Sequence, residues 1–518
     1  MPSPRKPAAV ARDPRHVPSA ADRAALAIVL ALGAALRLWF AFRTSGLTMD
    51  SALYVRMAEA LGRAQGPLGP AHHGYPVLIA LASALLPGRE WPGRIVSIVG
   101  SLAVIAITFR LARRRLPLAA SAAAALLVAL HPLLGVYGAA LMTEATFLAL
   151  AYGALLVASP AAAPTPPRAM SPRRAAAAGA LLGLGYCVRP EALVIALVAL
   201  PWMGGARARL AWLAAFVLCA APEVAMLSVE HGGLTFTPKT ALIAASAAAH
   251  DDAEWRATSV DSMATAPRRT WSERLGADLP AAARRYPGRM LGTLARLVES
   301  WPPPLLALSL LGALLQPGLL LAPLAMLIVL PAMGTTPTVR FTQTMLPSLA
   351  ILAAIGGWRL IAWLTVARRL PRRAAVAIAA LVAVAGLAWC WAGPAGRVTR
   401  RFDDGPVRSM RRAGAWLGRY ARPGSRVMDR KPYVPFFAGM DQALMPDDDY
   451  DTIVRYAQRT GVDFIVVEEY VMVTIRPQFK ALLTDPGFRK RENRLRMVFG
   501  GDEGPYTGVA IFAVEPPR

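Results

Sequence analysis

The sequence predicts a polytopic α-helical membrane protein with about 11 transmembrane helices and a small C-terminal α/β domain. Three observations predict this fold class. The chain of 518 residues is 55% hydrophobic and 17% charged, whereas soluble chains carry about 25% charged residues. Several apolar runs reach the roughly 20 residues that cross a bilayer. From about residue 396 onward, the composition returns to that of an ordinary globular domain.

Basic residues account for the net charge of +25. They concentrate in short clusters between the apolar runs, such as Arg113-Arg114-Arg115, Arg173-Arg174 and Arg372-Arg373. Clusters of this kind mark cytoplasmic loops under the positive-inside rule, so nucleic acid is not expected as a partner. If the N-terminus lies inside, an odd number of spans places these clusters inside and the C-terminus outside.

The apolar pattern divides the chain into three regions. Residues 1–22 are expected to form a disordered cytoplasmic tail, residues 23–395 a membrane domain, and residues 396–518 an extracytoplasmic α/β domain. The long outer loops of the membrane domain fall at about 44–91 and 231–300. The predicted spans lie near 23–43, 92–110, 117–133, 141–158, 175–188, 190–204, 209–229, 302–315, 318–333, 342–365 and 373–393.

The C-terminal region alternates between helical and strand patterns. RSMRRAGAWLGRYA and DYDTIVRYAQRTG have the spacing of helices, and SRVMD, VDFIVVEEY and VAIFAVEP have the composition of strands. This alternation predicts a small α/β domain. Asp447-Asp448-Asp449 precedes the second helix and is better explained as a helix cap than as a metal site.

The stretch GLTMDSALYVRMAEAL, residues 46–61, follows the first span and contains the first candidate catalytic residue, Asp50. The stretch has the pattern of a short helix lying along the outer membrane surface. Asp50 is either the N-cap of that helix, where aspartate is favoured, or a carboxylate that acts on a substrate at the lipid–water boundary. Tyr54 follows one turn later and is a candidate binding residue.

A second carboxylate, Glu144, lies near the outer end of the fourth predicted span. Ionisable groups inside apolar helices are expensive and indicate function, although Glu144 could also be a cap or an interfacial group. Arg189-Pro190-Glu191 and Arg340 lie on the same outer side. Both arginines could bind a phosphate group in bidentate fashion, and the alternative for the first is a turn with an ion pair.

His72 and His73 precede Gly74-Tyr75-Pro76 in the loop that also contains Asp50. Histidine can bind a metal or form a hydrogen bond with a phosphate or a sugar, so both histidines and Tyr75 are binding candidates. Two histidines without a third spaced ligand are weak support for zinc, and polar interfacial surface is the simpler interpretation. No metal site is predicted.

The order of these motifs resembles a known family. MDSALYVRMAEAL, HHGYPVLIALASALL, LHPLLGVYGAALMTEATF and AGALLGLGYCVRPEALVIALVALPW are similar to the N-terminal half of GT-C glycosyltransferases. The most similar group is glycosyltransferase family 39, which contains protein mannosyltransferases and aminoarabinose transferases. The resemblance covers residues 23–240 and is looser over 300–365, where VRFTQTMLPSLAIL is similar to an Arg-Tyr…Pro element of the family.

The resemblance implies transfer of a monosaccharide from a polyprenyl-phosphate donor to an acceptor on the outer face of the membrane. It implies that Asp50 is the catalytic base and that Glu144 matches the recurring acid between spans three and four. Members often have Asp-Glu where this chain has Asp50-Ser51, which disfavours a metal ion held by paired carboxylates. One carboxylate and one arginine could suffice, because the phosphate is already a good leaving group.

The resemblance therefore predicts an inverting hexosyl- or pentosyltransferase of the bacterial cytoplasmic membrane. No cofactor is expected to be required; a divalent metal is possible but not supported. The acceptor stays open between a lipid, a protein and a cell-wall glycan. Two other classes are weighed against this prediction, a multi-span transporter and a membrane-anchored cell-envelope assembly protein.

Overall fold

The computed structural model describes residues 18–45, 47–63, 71–159, 170–237, 271–332, 338–401, 405–446, 448–469, 475–500 and 508–516. Its membrane region is helical, and a smaller part around a β-sheet follows. The helices up to residue 313 are α1 (Ala20–Arg43), α2 (Met49–Gly62), α3 (Gly74–Ser83), α4 (Trp91–Arg113), α5 (Leu118–Leu130), α6 (Pro132–Ala139), α7 (Glu144–Ala158), α8 (Pro172–Val188), α9 (Glu191–Ala199), α10 (Ala206–His231), α11 (Trp271–Ser300) and α12 (Pro303–Ala313).

The remaining helices of the membrane region are α13 (Leu321–Ala332), α14 (Val339–Thr342), α15 (Leu346–Val366), α16 (Arg372–Ala392) and α17 (Pro394–Arg401). Short 3-10 turns lie at Leu200–Met203 and Pro317–Leu320. Helix α1 starts at Ala20, so the last three residues of the predicted tail belong to it. Their Asp22 is buried and forms an ion pair of 2.5 Å with Arg113.

Five of the described helices, α1, α4, α10, α15 and α16, are long and apolar enough to cross a membrane by themselves. The pair α5 and α6 would make a sixth span, bent by 58°. The other predicted spans correspond to helices that are shorter than 18 residues. The chain is thus a multi-helix membrane protein, and the number of eleven spans stays a prediction.

Two predicted boundaries differ from the structure. The sequence predicts an uninterrupted span over 117–133 and an outer loop after it, but a second helix, α6, follows the bend. Proline at the first position of α6 cannot continue α5, and His131 before it takes an extended backbone conformation. The predicted polar loop 231–300 contains α11 in its second half, whereas residues 238–270 lie outside the described part.

Helices α12 and α15 pack closely against each other at two glycines. A Cβ atom added to Gly312 would lie 2.0 Å from the carbonyl oxygen of Leu352, and one added to Gly356 would lie 2.0 Å from that of Leu308. The two glycines therefore let the two backbones approach each other, as small residues do between membrane helices. This contact holds α15 in place. Helix α15 begins just after α14, the short helix that contains Arg340.

The C-terminal part is an α/β unit around one five-stranded sheet. Its strands are β1 (Arg426–Asp429), β2 (Asp441–Leu444), β3 (Phe464–Glu468), β4 (Leu495–Phe499) and β5 (Val509–Val514), in the order β2-β1-β3-β5-β4. Its helices are α18 (Gly405–Tyr420), α19 (Tyr433–Ala438), α20 (Tyr450–Arg459), α21 (Lys480–Thr484) and α22 (Pro486–Arg491), with a 3-10 turn at Pro477–Phe479. Strands β1, β2 and β3 are parallel, and β5 is antiparallel to β3 and β4.

All five helix and strand patterns of the C-terminal sequence are found in the structure as α18, β1, α20, β3 and β5. The side chain of Asp449 accepts a hydrogen bond from the backbone of Thr452, so the interpretation of the acidic run as a cap is confirmed. The sequence analysis missed β2 and β4, whose mixed polar composition gives no clear alternation.

The C-terminal unit docks onto α2, the helix that begins next to Asp50. Arg56 donates hydrogen bonds to Gln442 and to the carbonyl oxygen of Met440, at 3.1 Å and 3.3 Å. Arg89 forms an ion pair with Glu59 on α2, lies 4.3 Å from the ring centre of Phe436 and donates to the carbonyl of Phe436. These contacts bring the edge of the sheet close to the candidate site.

Candidate functional site

The start of α2 presents the Asp50 side chain without using it as a cap. The N-cap of α2 is Thr48, which exchanges hydrogen bonds with Ser51 in a capping box. Ser51 is fully buried and also donates a hydrogen bond of 2.8 Å to the carbonyl oxygen of Leu141. The alternative that Asp50 is the N-cap is therefore wrong, and its carboxylate remains available for other contacts.

Arg340 joins the two carboxylates that the sequence analysis singled out. Its Nε donates to Glu144 at 2.6 Å, while Nη1 and Nη2 both donate to Oδ2 of Asp50 at 3.2 Å. The planar fork of a guanidinium suits such a double contact. The rings of Tyr137 and Phe341 lie 5.7 Å from the guanidinium carbon and hold it from the sides.

Arg189 continues the charge network on the other side of Glu144. It forms ion pairs of 2.9 Å with Glu144 and 2.6 Å with Glu191, and it donates to the hydroxyl of Thr143 at 3.2 Å. Pro190 ends α8 and starts α9, so that Arg189 and Glu191 face the same space. The ion pair that the sequence analysis gave as the alternative for this turn is present, and it extends to Glu144.

The carboxylates differ sharply in exposure. The side chains of Glu144 and Glu191 are 2% and 3% exposed, whereas that of Asp50 is 40% exposed. Glu144 is a buried carboxylate that contacts two arginines, and it can hold both guanidinium groups in position. Of the three carboxylates, Asp50 is the one that both reaches solvent and contacts an arginine.

A small cavity of about 60 Å³ lies at this network. Six predicted site residues line it: Asp50, Tyr54, His72, Arg189, Glu191 and Arg340. The rest of the lining consists of Ala71, Thr143, Val188, Pro190 and Phe341. His72 is buried against the Tyr186 ring; its Nδ1 lies 3.2 Å from Glu223, and its Nε2 has no hydrogen-bond partner among the described residues. A substrate oxygen could accept or donate a hydrogen bond there.

The structure separates His73 and Tyr75 from this cavity. His73 binds Glu223 through its backbone and Nδ1 and binds Glu230 through Nε2, at 3.0–3.1 Å. The buried Tyr75 hydroxyl contacts Ser97 at 2.7 Å and the carbonyl oxygen of Gly93 at 2.9 Å. These contacts fix the loop that presents His72, which the prediction of a direct binding role did not anticipate.

Glu223 is a residue that the sequence analysis missed. Its carboxylate lies 3.2 Å from Nδ1 of His72 and is buried in α10 between the two histidines. A carboxylate in an apolar run of 26 helical residues was the available signal. In the described part of the chain, no group of three or more His, Cys, Asp or Glu residues could hold a metal ion.

The sequence analysis also found no acidic pair in the C-terminal region, but the structure has one. Asp429 and Glu468, the last residues of the neighbouring strands β1 and β3, are both 1% exposed. Burial and the charges of Glu468, Asp50 and Asp429 raise the pKa of Tyr433, which follows β1.

Glu468 should make the stability of the protein depend on pH. Burial raises the pKa of its carboxyl from 4.5 to about 7, although the Lys431 charge acts in the opposite direction. A carboxyl with a raised pKa favours the folded state most below pH 4.5, and this contribution is lost as the pH rises through about 7.

Glu468→Gln should reduce that fall in stability as the pH rises through about 7, as measured by thermal unfolding; burial and the Glu468 charge also raise the pKa of Asp429, which adds to the fall in the parent. Glu469→Gln is the matched control, because Glu469 is exposed and adjacent. An identical pH dependence in the parent and Glu468→Gln would show that Glu468 does not titrate in this range.

Comparison with known proteins shows that the chain has a recognised fold. A family model described as dolichyl-phosphate-mannose-protein mannosyltransferase matches residues 73–231. No curated protein matches the chain significantly. ArnT from Cupriavidus metallidurans, solved with bound undecaprenyl phosphate, is 12% identical with a TM-score of 0.56, over 96% of this chain and 98% of that chain.

Two structures from Archaeoglobus fulgidus are also similar. The oligosaccharyltransferase tethered to an acceptor peptide is 13% identical with a TM-score of 0.54, over 89% of this chain and 72% of that chain. The oligosaccharyltransferase AglB in complex with an inhibitory peptide and a dolichol-phosphate is 13% identical with a TM-score of 0.50, over 87% and 69%. The resemblance to GT-C glycosyltransferases is thus confirmed for the fold.

Proposed function

We propose that this protein is a membrane glycosyltransferase that moves a monosaccharide from a polyprenyl-phosphate donor to an acceptor hydroxyl. The observation that carries the proposal is the placement of Arg340 between the half-exposed Asp50 and the buried Glu144. A cation held rigidly by a buried acid, next to an accessible carboxylate, is what transfer from a sugar phosphate requires. The fold shared with ArnT, which binds undecaprenyl phosphate, supports it.

The donor phosphate binds to Arg340, with Arg189 and His72 around the same cavity. An incoming phosphate competes with Asp50 for the two Nη atoms, while Glu144 keeps its contact with Nε. Arg340 thus stays in place while Asp50 is released. Charge-assisted, bidentate contacts of this kind are the strong ones for phosphate.

The released Asp50 carboxylate removes the proton from the acceptor hydroxyl. The acceptor oxygen attacks the anomeric carbon as the bond from that carbon to the phosphate oxygen breaks. The phosphate leaves with the bonding electron pair, and the arginines stabilise its charge. A single displacement of this kind inverts the anomeric centre, and it needs no cofactor or metal ion.

The positions of the basic loops indicate on which side of the membrane the site lies. The proposal includes eleven spans, with the N-terminus inside and the site, the 231–300 region and the C-terminal domain outside the bacterial cytoplasmic membrane. The acceptor, a lipid, protein or wall glycan, reaches Asp50 from the aqueous side. The C-terminal domain covers α2 through Arg56 and Arg89 and so borders the acceptor path.

The test uses the purified full chain in liposomes with polyprenyl-phosphate sugars and membrane or wall extracts as acceptors. Release of free polyprenyl phosphate together with glycosylated acceptor is the expected result. Binding of donors without any acceptor-dependent release of polyprenyl phosphate would contradict the proposal.

Changes at Arg340 should weaken donor binding in a graded way. Arg340→Lys keeps the charge but cannot contact the phosphate and Glu144 together, so donor affinity should fall modestly. Arg340→Ala should lower it by about 10- to 100-fold, which corresponds to the loss of charged hydrogen bonds. Binding of a labelled polyprenyl phosphate measures both changes.

Arg296→Ala is the matched control, because Arg296 forms a partly exposed pair with Glu299 within α11. Its donor affinity should equal that of the parent. Equal affinities for the parent and Arg340→Ala would remove Arg340 from the donor site.

A further inference from the structure

A mostly apolar cavity lies at the opposite end of helices α7 and α9 from the candidate site around Asp50. Its volume is about 220 Å³, and its walls are mostly hydrocarbon, from residues such as Leu155, Leu182, Ile195 and Leu319. An apolar cavity of about 150 Å³ stays free of water and takes up small hydrocarbons. A cavity of this size and lining therefore favours a hydrocarbon chain over water.

Polar side chains also line this cavity, among them Arg115, Trp212 and Gln316. The guanidinium of Arg115 donates hydrogen bonds to Gln316 at 3.2 Å and to the carbonyl of Leu111 at 3.1 Å. Within the described part of the chain, no carboxylate pairs with Arg115. Trp212 is 2% exposed, and its indole N–H has no acceptor among the described residues. A buried donor without a partner calls for an oxygen supplied by a ligand.

The surroundings indicate a lipid as the source of that oxygen. Trp202, which also lines the cavity, is 57% exposed, as is typical of aromatic residues at a membrane interface. Arg115 ends the Arg113-Arg114-Arg115 cluster, so the positive-inside rule assigns this end to the cytoplasmic leaflet. Anionic lipids are concentrated there and are attracted by basic clusters.

We propose that this cavity binds one acyl chain of an anionic glycerophospholipid, with the lipid phosphate at Arg115 and an ester oxygen at the Trp212 N–H. The site is separate from the donor site, which lies at the other end of the same helices. The proposal of a lipid site does not depend on the function of the outer site.

The lipid would hold the inner ends of helices whose outer ends form the candidate active site. Helix α7 runs from Glu144 to the cavity wall, and α9 runs from Glu191 to Ala199 in that wall. Between the two ends, Tyr152 donates hydrogen bonds to the carbonyl of Thr344 and to Ser348, just after the segment of Arg340. Occupancy of the cavity therefore stabilises the helices that position Glu144 and Glu191.

The experiment measures thermal unfolding of the full chain in detergent after addition of phosphatidylglycerol, phosphatidylcholine with the same chains, or undecaprenyl phosphate. Phosphatidylglycerol should raise the Tm more than phosphatidylcholine does. Arg115→Gln should abolish this difference, and Arg110→Gln should keep it, because Arg110 is exposed and does not line the cavity. Leu155→Trp, which fills the cavity, should weaken stabilisation by both phospholipids.

Should Arg115→Gln fail to fold, Trp212→Phe takes its place; it keeps an aromatic ring but loses the N–H that contacts the ester oxygen, so stabilisation by both phospholipids should weaken. Equal effects of the two phospholipids on the parent would overturn the proposal, as would an undiminished preference for phosphatidylglycerol in Arg115→Gln, or undiminished stabilisation by both phospholipids in Leu155→Trp and Trp212→Phe. Stronger stabilisation by undecaprenyl phosphate than by phosphatidylglycerol that depends on Arg115 would assign the cavity to the carrier lipid and also overturn it. None of these readouts depends on sugar transfer.

Discussion

Asp50→Asn should lower the turnover number for sugar transfer by about 100- to 10,000-fold, the usual contribution of a positioned general base. The substitution keeps the size of the side chain, and the capping box of Thr48 and Ser51 keeps α2 intact. The protein should therefore fold and still bind the polyprenyl-phosphate donor. Turnover at saturating donor, measured alongside donor affinity, separates the chemical step from binding.

Glu59→Gln is the matched control for this prediction. Glu59 belongs to the same helix as Asp50 but pairs with Arg89 away from the cavity. Its turnover should stay within a few-fold of the parent. Turnover of Asp50→Asn at the same level as the control would show that the carboxylate only holds Arg340.

Glu144→Gln should destabilise the protein by about 3–5 kcal/mol, because it leaves two buried or half-buried arginines without their shared partner. Glu144 contacts Arg340 at 2.6 Å and Arg189 at 2.9 Å, and its side chain is 2% exposed. We expect a marked fall in the midpoint of thermal unfolding. Donor affinity should fall as well, since Arg340 would no longer be held in place.

Glu299→Gln provides the comparison for a surface ion pair. Glu299 pairs with Arg296 at 2.6 Å, but its side chain is 29% exposed. Pairs of this kind contribute about 0–1 kcal/mol. A change in unfolding midpoint that is no larger for Glu144→Gln than for Glu299→Gln would contradict the role of Glu144 as the anchor of the network.

Much of the candidate site could be predicted because its residues share one side of the membrane. Asp50, Glu144, Arg189 and Arg340 all flank apolar runs at the ends that the basic loops place outside, so their convergence was an available prediction. The sequence could not show that Arg340 binds both acids at once. That contact depends on how α14 packs against α2 and α7, and hydropathy carries no information about such packing.

The features that the sequence analysis missed also depend on local geometry or on packing. The bend before Pro132 is a local effect, and proline was its signal. Glu223 was passed over because a single acid in an apolar helix does not reveal its partners, here His72 and His73. The buried Asp429 and Glu468 become neighbours only when β1 and β3 pair, which the strand patterns alone do not specify.

The most direct measurement of the central claim is the lipid composition of a strain that lacks the gene. The strain would be complemented with the parent protein or with Asp50→Asn, and membrane lipids would be analysed by mass spectrometry. The account predicts that a polyprenyl-phosphate monosaccharide accumulates without the protein and with Asp50→Asn, and that it disappears with the parent. Identical lipid profiles in all three strains, with no lipid-linked sugar accumulating, would contradict the account.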